Sequence, residues 1–306
     1  MAGYYLEKSE NRYHVRSNSL PARSHPVTST IDDELNKLKA WEELSTSSSK
    51  AETICVGLSG LGDVYECVKD LLHLPSTQQA LFQFPDQKWV SEVLDASVKL
   101  VDVCGTTRDL LLLMKQSVQD LQSGLRRRKC TEESSLQFCI NAFISARKKM
   151  KKDIIKGLEA LKQMENKLGS SPLIGVEDHL SMVARVLKQV CVITISIFHS
   201  LLTIMSVSMS KRKSSAWILV SKFVHKEQTT YEGNQNKNDV ESVDATIHAI
   251  SKRISRKDCD IEKKMEKAKT RLDSLEVTIE DLESGLECMF RHLIQMRVTL
   301  LNILAY

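Results

Sequence analysis

The sequence predicts an all-α protein, an elongated antiparallel bundle of four long heptad-patterned helices with short helices ahead of them. Three observations carry that expectation. First, apolar residues recur at alternating spacings of four and three along 261–303: Ile261, Met265, Ala268, Leu272, Leu275, Ile279, Leu282, Leu286, Met289, Leu293, Met296, Leu300 and Ile303. This is the a/d seam of a helix packed against other helices. At about 1.5 Å per residue such a helix is roughly 60 Å long, and its stripe needs equally long partners to leave water. Second, similar stripes recur earlier in the chain. Third, only five prolines and eleven glycines interrupt 306 residues, and no strand-like alternation competes.

The elements follow in order. Residues 1–30 contain Pro21, Pro26 and many Ser, Thr and Arg with little apolar periodicity, so they are expected to form a disordered tail. Leu35, Leu38 and Trp41 mark a short amphipathic helix that ends in the Ser/Thr run 45–49. A second helix is expected over 52–74, stopped by Pro75, and a short one follows Ser76. The first long helix, 86–129, carries Val90, Val93, Ser97, Leu100, Cys104, Thr107, Leu111, Met114, Val118, Leu121 and Leu125. The next, 132–168, carries Leu136, Ile140, Phe143, Met150, Ile154, Leu158 and Leu161, and ends at Gly169 and Pro172.

A third long helix is expected over 176–210. An apolar segment at 217–224 and a loop at 227–238 rich in Asn, Gln and Gly follow it. The final helix is expected to begin near Asp239. The domain reading is therefore a tail, 1–30, and a single helical domain, 31–306, with a flexible loop near 227–238. Short breaks between long helices favour antiparallel neighbours. Past Gly285 the residues Phe290, Ile294, Val298, Leu301 and Leu304 widen the apolar face of the final helix, so its C-terminal end is expected to be the buried end.

Charge and cysteine usage bound the function class. A net charge of +4 is too small to signal nucleic acid, although 126–153 holds nine Lys and Arg against Glu132, Glu133 and Asp153, a local excess of +6. Eight cysteines are scattered through apolar patterns without a CxxC pair, which predicts reduced, buried thiols in a cytoplasmic or nuclear protein. The first sixteen residues are polar and charged and lack the apolar core of a secretory signal, so secretion is not expected.

One stretch raises a membrane question. Residues 189–210 contain no Lys, Arg, Asp or Glu and are long enough to span a bilayer. Against a span, Ser196, His199, Ser200, Thr203, Ser206 and Ser210 recur three or four apart along one side, as on a helix at a bundle surface or interface. A buried helix is the preferred reading. Anchoring through 189–210 or through the basic faces is the alternative.

Chemistry-bearing motifs are sparse. Gly57, Gly60 and Gly62 in GLSGLGD lack the Lys-Ser/Thr pair and preceding strand of a phosphate loop, and close helix approach explains them better. No HExxH, CxxC or clustered histidines predict a metal, and no spacing promotes a catalytic triad. No catalytic, cofactor or metal residues are therefore expected. The runs Arg126-Arg127-Arg128-Lys129 and Arg147-Lys148-Lys149-Met150-Lys151-Lys152 suit nuclear import, nucleic acid or anionic lipid. They equally suit a helix C-terminus and a solvated helix face. Nucleic acid is disfavoured because no aromatics interleave with them.

The tail holds a sharper motif: Arg16-Ser17-Asn18-Ser19-Leu20-Pro21 places Arg three residues before Ser19 and Pro two after it. Basophilic kinases favour this pattern, and its phosphoserine resembles ligands of the fourteen-three-three adaptors. An ordinary polar tail is the plainer reading.

The tail segment 13–26 resembles a plant-specific family known as domain of unknown function two-four-one. The similarity continues through 71–80, Lys88-Trp89, 100–105 with Arg108-Asp109, 121–128, 145–149, 281–288 and 298–303, nearly the whole chain. Ala22 stands where many members have Ser. The resemblance implies an intracellular helical plant protein associated with root and shoot development and transfers no catalytic residue. The functional expectation is a non-enzymatic scaffold or regulator, monomeric, with protein partners and a core that includes Leu286, Leu293 and Leu300.

Overall fold

A computed structural model describes residues 26–45, 51–84, 87–127, 133–168, 178–206, 239–254 and 261–305. Among the described residues are eight helices and no strand. They are α1 (Pro26–Ser45), α2 (Ala51–His73), α3 (Pro75–Gln83), α4 (Lys88–Arg127), α5 (Glu133–Leu168), α6 (Asp178–Ser206), α7 (Asp239–Ile254) and α8 (Ile261–Ala305).

The heptad seams are the core. Every stripe residue of α4 from Val90 to Leu125 is buried, as is every α8 stripe residue from Met265 to Ile303. Leu286, Leu293 and Leu300 are among them. Burying each such Leu, Ile or Met contributes about 1.5–3 kcal/mol, which is why the 3-4 spacing decides how these helices turn.

Side-chain bonds fix the directions. Arg297 of α8 donates to the Leu94 carbonyl of α4 at 2.8 Å and to Ser97 Oγ at 3.0 Å, while Gln119 and Gln122 of α4 each donate to Glu276 of α8 at 2.8 and 3.1 Å. These two longest helices thus run antiparallel along most of their length. Gly124 of α4 faces Cys139 of α5, and Gly157 of α5 faces Leu202 of α6. The first contact pairs the end of α4 with the start of α5, and in the second pair Arg147, earlier in α5 than Gly157, reaches Met205, later in α6 than Leu202, so both pairs run antiparallel.

Two shorter helices share the remaining flank of α8. On its N-terminal half lies α7: Thr278 donates to Asp239 at 3.0 Å and Arg271 donates to the Ser242 carbonyl at 2.9 Å. On its C-terminal half lies α2, with Leu58 against Gly285 and Glu66 against His292. Here the structure corrects the expectation of one final helix from Asp239. The chain is helical over 239–254 and again over 261–305, and α7 folds back along α8. Val240, Val243, Ile247 and Ile250 bury against the core, while the intervening sequence SRKDCD offers nothing apolar at the seam positions.

Helix α2 is a core element too, packed on α6 and α8 through Leu61, Val64, Tyr65, Val68 and Leu71. The tail boundary also shifts. Helix α1 starts at Pro26, where the fixed φ of proline suits a first helical turn, and Ile31 is already fully buried.

Among the described residues, α6 is the one helix long and apolar enough to cross a membrane. In the fold it packs on α1, α2, α3, α4 and α5, with Val183, Val190, Ile197, Phe198 and Leu201 fully buried. Its polar stripe faces outward: His199 is exposed, Ser200 and Thr203 are half-buried, and Ser196 donates to Glu42 of α1. Tyr65 of α2 reaches Thr194 at 3.0 Å, and Thr194 donates onward to the Val190 carbonyl at 2.7 Å, so the phenol is the donor to Thr194.

Candidate functional site

A second pair of stripes flanks the buried α4–α8 seam, and it points outward. On α4 it reads Leu94, Val98, Val101, Gly105, Arg108, Leu112 and Lys115, itself a 4-3 spacing. On α8 it reads Glu280, Glu283, Glu287, Phe290, Ile294, Val298 and Leu301. Because the helices are antiparallel, the charged part of the α8 stripe lies beside Arg108 to Lys115. Its apolar part lies beside Leu94 to Val101.

Burial separates these positions from the seam. Leu112 is 61% exposed, Val298 48%, Leu301 41% and Ile294 40%. The widened apolar face past Gly285 is only partly buried: Ile294, Val298 and Leu301 are exposed, contrary to the expectation from sequence, and Phe290 and Leu304 are half-buried against the core. It lines the outside of the α4–α8 pair. The physical reason is that α2 covers the opposite side of α8, through Gly285 and His292, and no described helix covers this one.

Between the charged portions lies a groove of about 710 Å³. Arg108 lies over the Phe290 ring at 4.8 Å from its centroid and pairs with Glu287. Lys115 bridges Glu283 at 2.9 Å and Glu280 at 3.3 Å. The hydrogen bond to Glu283 is the foremost cause holding the Lys115 ammonium above its ordinary value, with Glu280 adding and burial opposing. A Cβ on Gly105 would meet nothing within 4 Å, so the groove floor is open there. Glu276, just beyond the groove, is held below the usual carboxylate range by hydrogen bonds from Gln119 and Gln122. An arrangement of exposed aliphatics, an aromatic ring carrying a guanidinium, and paired charges on two long helices suits recognition of another helix.

Two buried polar clusters stand behind this surface. Tyr65 stacks on His292 with centroids 6.1 Å apart, and burial pushes the Tyr65 phenol up and the His292 imidazole down. Arg147 of α5 pairs with Asp244 of α7 and reaches the Met205 carbonyl at 3.1 Å. Neither cluster opens into the groove. Burial raises the Cys104 and Cys191 thiols to about 12, which makes them inert core residues. Cys288, by contrast, is exposed, and Cys55, Cys67 and Cys139 are half-buried, so the thiols are not uniformly buried as expected.

The sequence candidates distribute as follows. Arg16, Ser17, Ser19 and Pro21 lie outside the described residues, as do Arg128, Lys129, Cys130, Cys259 and the loop 227–238. Gly57, Gly60 and Gly62 lie on α2, and a Cβ on Gly57 would sit 2.6 Å from the Trp41 ring, so the glycine lets α1 and α2 approach closely. The second basic run is split by the helical period: Arg147 is buried, and Lys148, Lys149, Lys151 and Lys152 are exposed. Among the described residues no group of three or more His, Cys, Asp or Glu is placed to hold a metal. Sequence reasoning missed Glu287 and Asp244, and it gave Arg108 and Phe290 no role in a charged groove. The signal for Arg147 was present, since it fills the seam position left blank between Phe143 and Met150.

The fold defines a class, that of all-helical proteins whose long helices are joined by buried heptad seams. A family model described as Protein BPS1 matches residues 57–303, and the chain belongs to that plant-specific family. The match runs from the α1–α2 crossing to the end of the α8 seam. It replaces the two-four-one family named by resemblance. No curated protein and no solved structure matches the chain.

Proposed function

We propose that this protein is a non-enzymatic helical scaffold or regulator that acts in plant development by binding other proteins. The observation that carries the reading is the outward α4–α8 face, where Leu112, Ile294, Val298 and Leu301 stay exposed on the two longest helices described. Isolated exposed aliphatics are ordinary, but a two-helix patch of Val98, Ile294, Val298 and Leu301 that adjoins the Arg108–Glu287 and Lys115–Glu283 ion pairs marks an interaction surface. In this reading the long helices act as one stiff antiparallel bundle. Ser19, once phosphorylated, adds a separable contact to a fourteen-three-three-type adaptor.

The rival reading is a membrane anchor through 189–210. To cross a bilayer, α6 has to abandon the Tyr65–Thr194 bond, the Arg147 bond to Met205 and its apolar cover on five helices. That cost favours the first reading. The test of the non-enzymatic claim is a turnover screen on purified protein: the reading expects none, and specific turnover abolished by one point substitution would overturn it.

A further inference from the structure

The outer face of α5 carries a pattern that the groove does not use. Within the run 147–152 the helical period sends Arg147 and Met150 into the core and Lys148, Lys149, Lys151 and Lys152 outward. Lys156 follows one turn later and pairs with Asp153 at 3.0 Å. Lys148, Lys149, Lys151 and Lys152 have no ion-pair partner among the described residues. Over 148–159 five lysines face Asp153 and Glu159, a net charge of +3 (5 − 2).

Two apolar side chains bracket the lysines. Phe138 is 75% exposed, the most exposed large apolar residue described, and Ile155 is 40% exposed. At about 100° per residue, Phe138, Lys148, Lys149, Lys152, Ile155 and Lys156 fall within roughly a 120° sector of the helix. That sector is opposite the face that α5 lays on α4, α6 and α7 through Leu136, Ile140, Phe143, Met150 and Ile154.

We propose that this face of α5 binds the surface of membranes that carry anionic lipid. The lysines supply the electrostatic attraction, and their reach is set by the Debye length. Phe138 and Ile155 enter the boundary between headgroups and acyl chains, where an apolar side chain gains and a phosphate backbone offers nothing. A nucleic acid would use the same lysines but would leave both apolar residues in water. Attachment of this kind is peripheral and leaves α6 in the core. It is independent of protein docking at the α4–α8 groove, which lies on other helices.

The test uses the full chain and sedimentation with vesicles of phosphatidylcholine alone or mixed with phosphatidylserine. Binding is expected only to the mixed vesicles and should weaken steeply with salt. The exposed triple variant Lys148→Gln, Lys149→Gln, Lys152→Gln should weaken it about tenfold or more. Phe138→Ser should weaken it severalfold without changing the salt dependence. Groove variants such as Leu112→Lys should leave it unchanged, which separates failure here from failure of the scaffold reading. Equal binding to both vesicle types, or no effect of the triple variant, overturns the proposal. So does attachment that survives high salt and carbonate, which would implicate α6. Equally tight binding to duplex RNA with Phe138→Ser silent on vesicles would make the face a general polyanion site and likewise overturn it.

Discussion

Arg147 and Asp244 form a buried ion pair that joins α5 to α7: the guanidinium donates to both carboxylate oxygens at 3.1–3.3 Å, and the two side chains are 6% and 2% exposed. The same guanidinium also donates to the Met205 carbonyl at 3.1 Å, near the end of α6. One side chain thus fixes three helices at the point where α6 ends and α7 begins. Arg147→Ala leaves a buried carboxylate without its partner and should cost about 3–5 kcal/mol in urea denaturation. The double variant Arg147→Met, Asp244→Leu should cost much less, because it removes both charges together. Equal losses from the single and double variants would show that packing, not charge, sets the cost.

What was legible in the sequence follows from this junction. The seams of α4 and α8 were readable because a residue at every third or fourth position must leave water, and the fold buries them as the period requires. The reversal between α7 and α8 was not, because Ile254 and Ile261 are seven residues apart and keep the seam in phase across the break. The groove was not legible either. Ile294, Val298 and Leu301 look in sequence like a broadened core stripe, and only the placement of α2 on the other side of α8 leaves them exposed. Arg147 read as part of a basic run, since sequence does not say that an Asp nearly a hundred residues away completes it.

Gly57 and Gly105 should respond oppositely to alanine. At Gly57 a methyl group would meet the Trp41 ring at 2.6 Å and disturb the bond that Trp41 donates to the Thr53 carbonyl. Overpacking of this kind costs about 1–3 kcal/mol, against a helix-propensity gain of about 1 kcal/mol. Gly57→Ala should therefore lower the thermal midpoint. Gly105→Ala meets nothing within 4 Å and should raise it.

Acid should destabilise the fold through histidine. Burial is the foremost cause that lowers His292 from its ordinary value of 6.5, with Glu66 opposing. The unfolded chain then binds more protons than the folded one just below that value, so stability falls as pH drops through it. Unfolding free energy measured between pH 7 and about 5 should decline, and His292→Gln should reduce the slope. A slope unchanged by that substitution would assign the decline to other groups.

Leu293 is fully buried in the α8 seam. Leu293→Asp places an unpaired carboxylate there and should cost several kcal/mol, enough to melt a domain of ordinary marginal stability. Light scattering of the native protein is expected to give a monomer. A dimer converted by Leu293→Asp to a folded monomer would instead make the seam an intermolecular coiled coil.

The claim that the α4–α8 face recruits protein partners is tested most directly by proximity labelling in plant root tissue. The wild-type chain is compared with a Leu112→Lys, Val298→Lys variant, whose substitutions are exposed and should leave the circular dichroism and melting point unchanged. A defined set of labelled proteins should be lost from the variant, with those that depend on Ser19 retained. A folded variant that labels the same proteins as the wild type would contradict the claim.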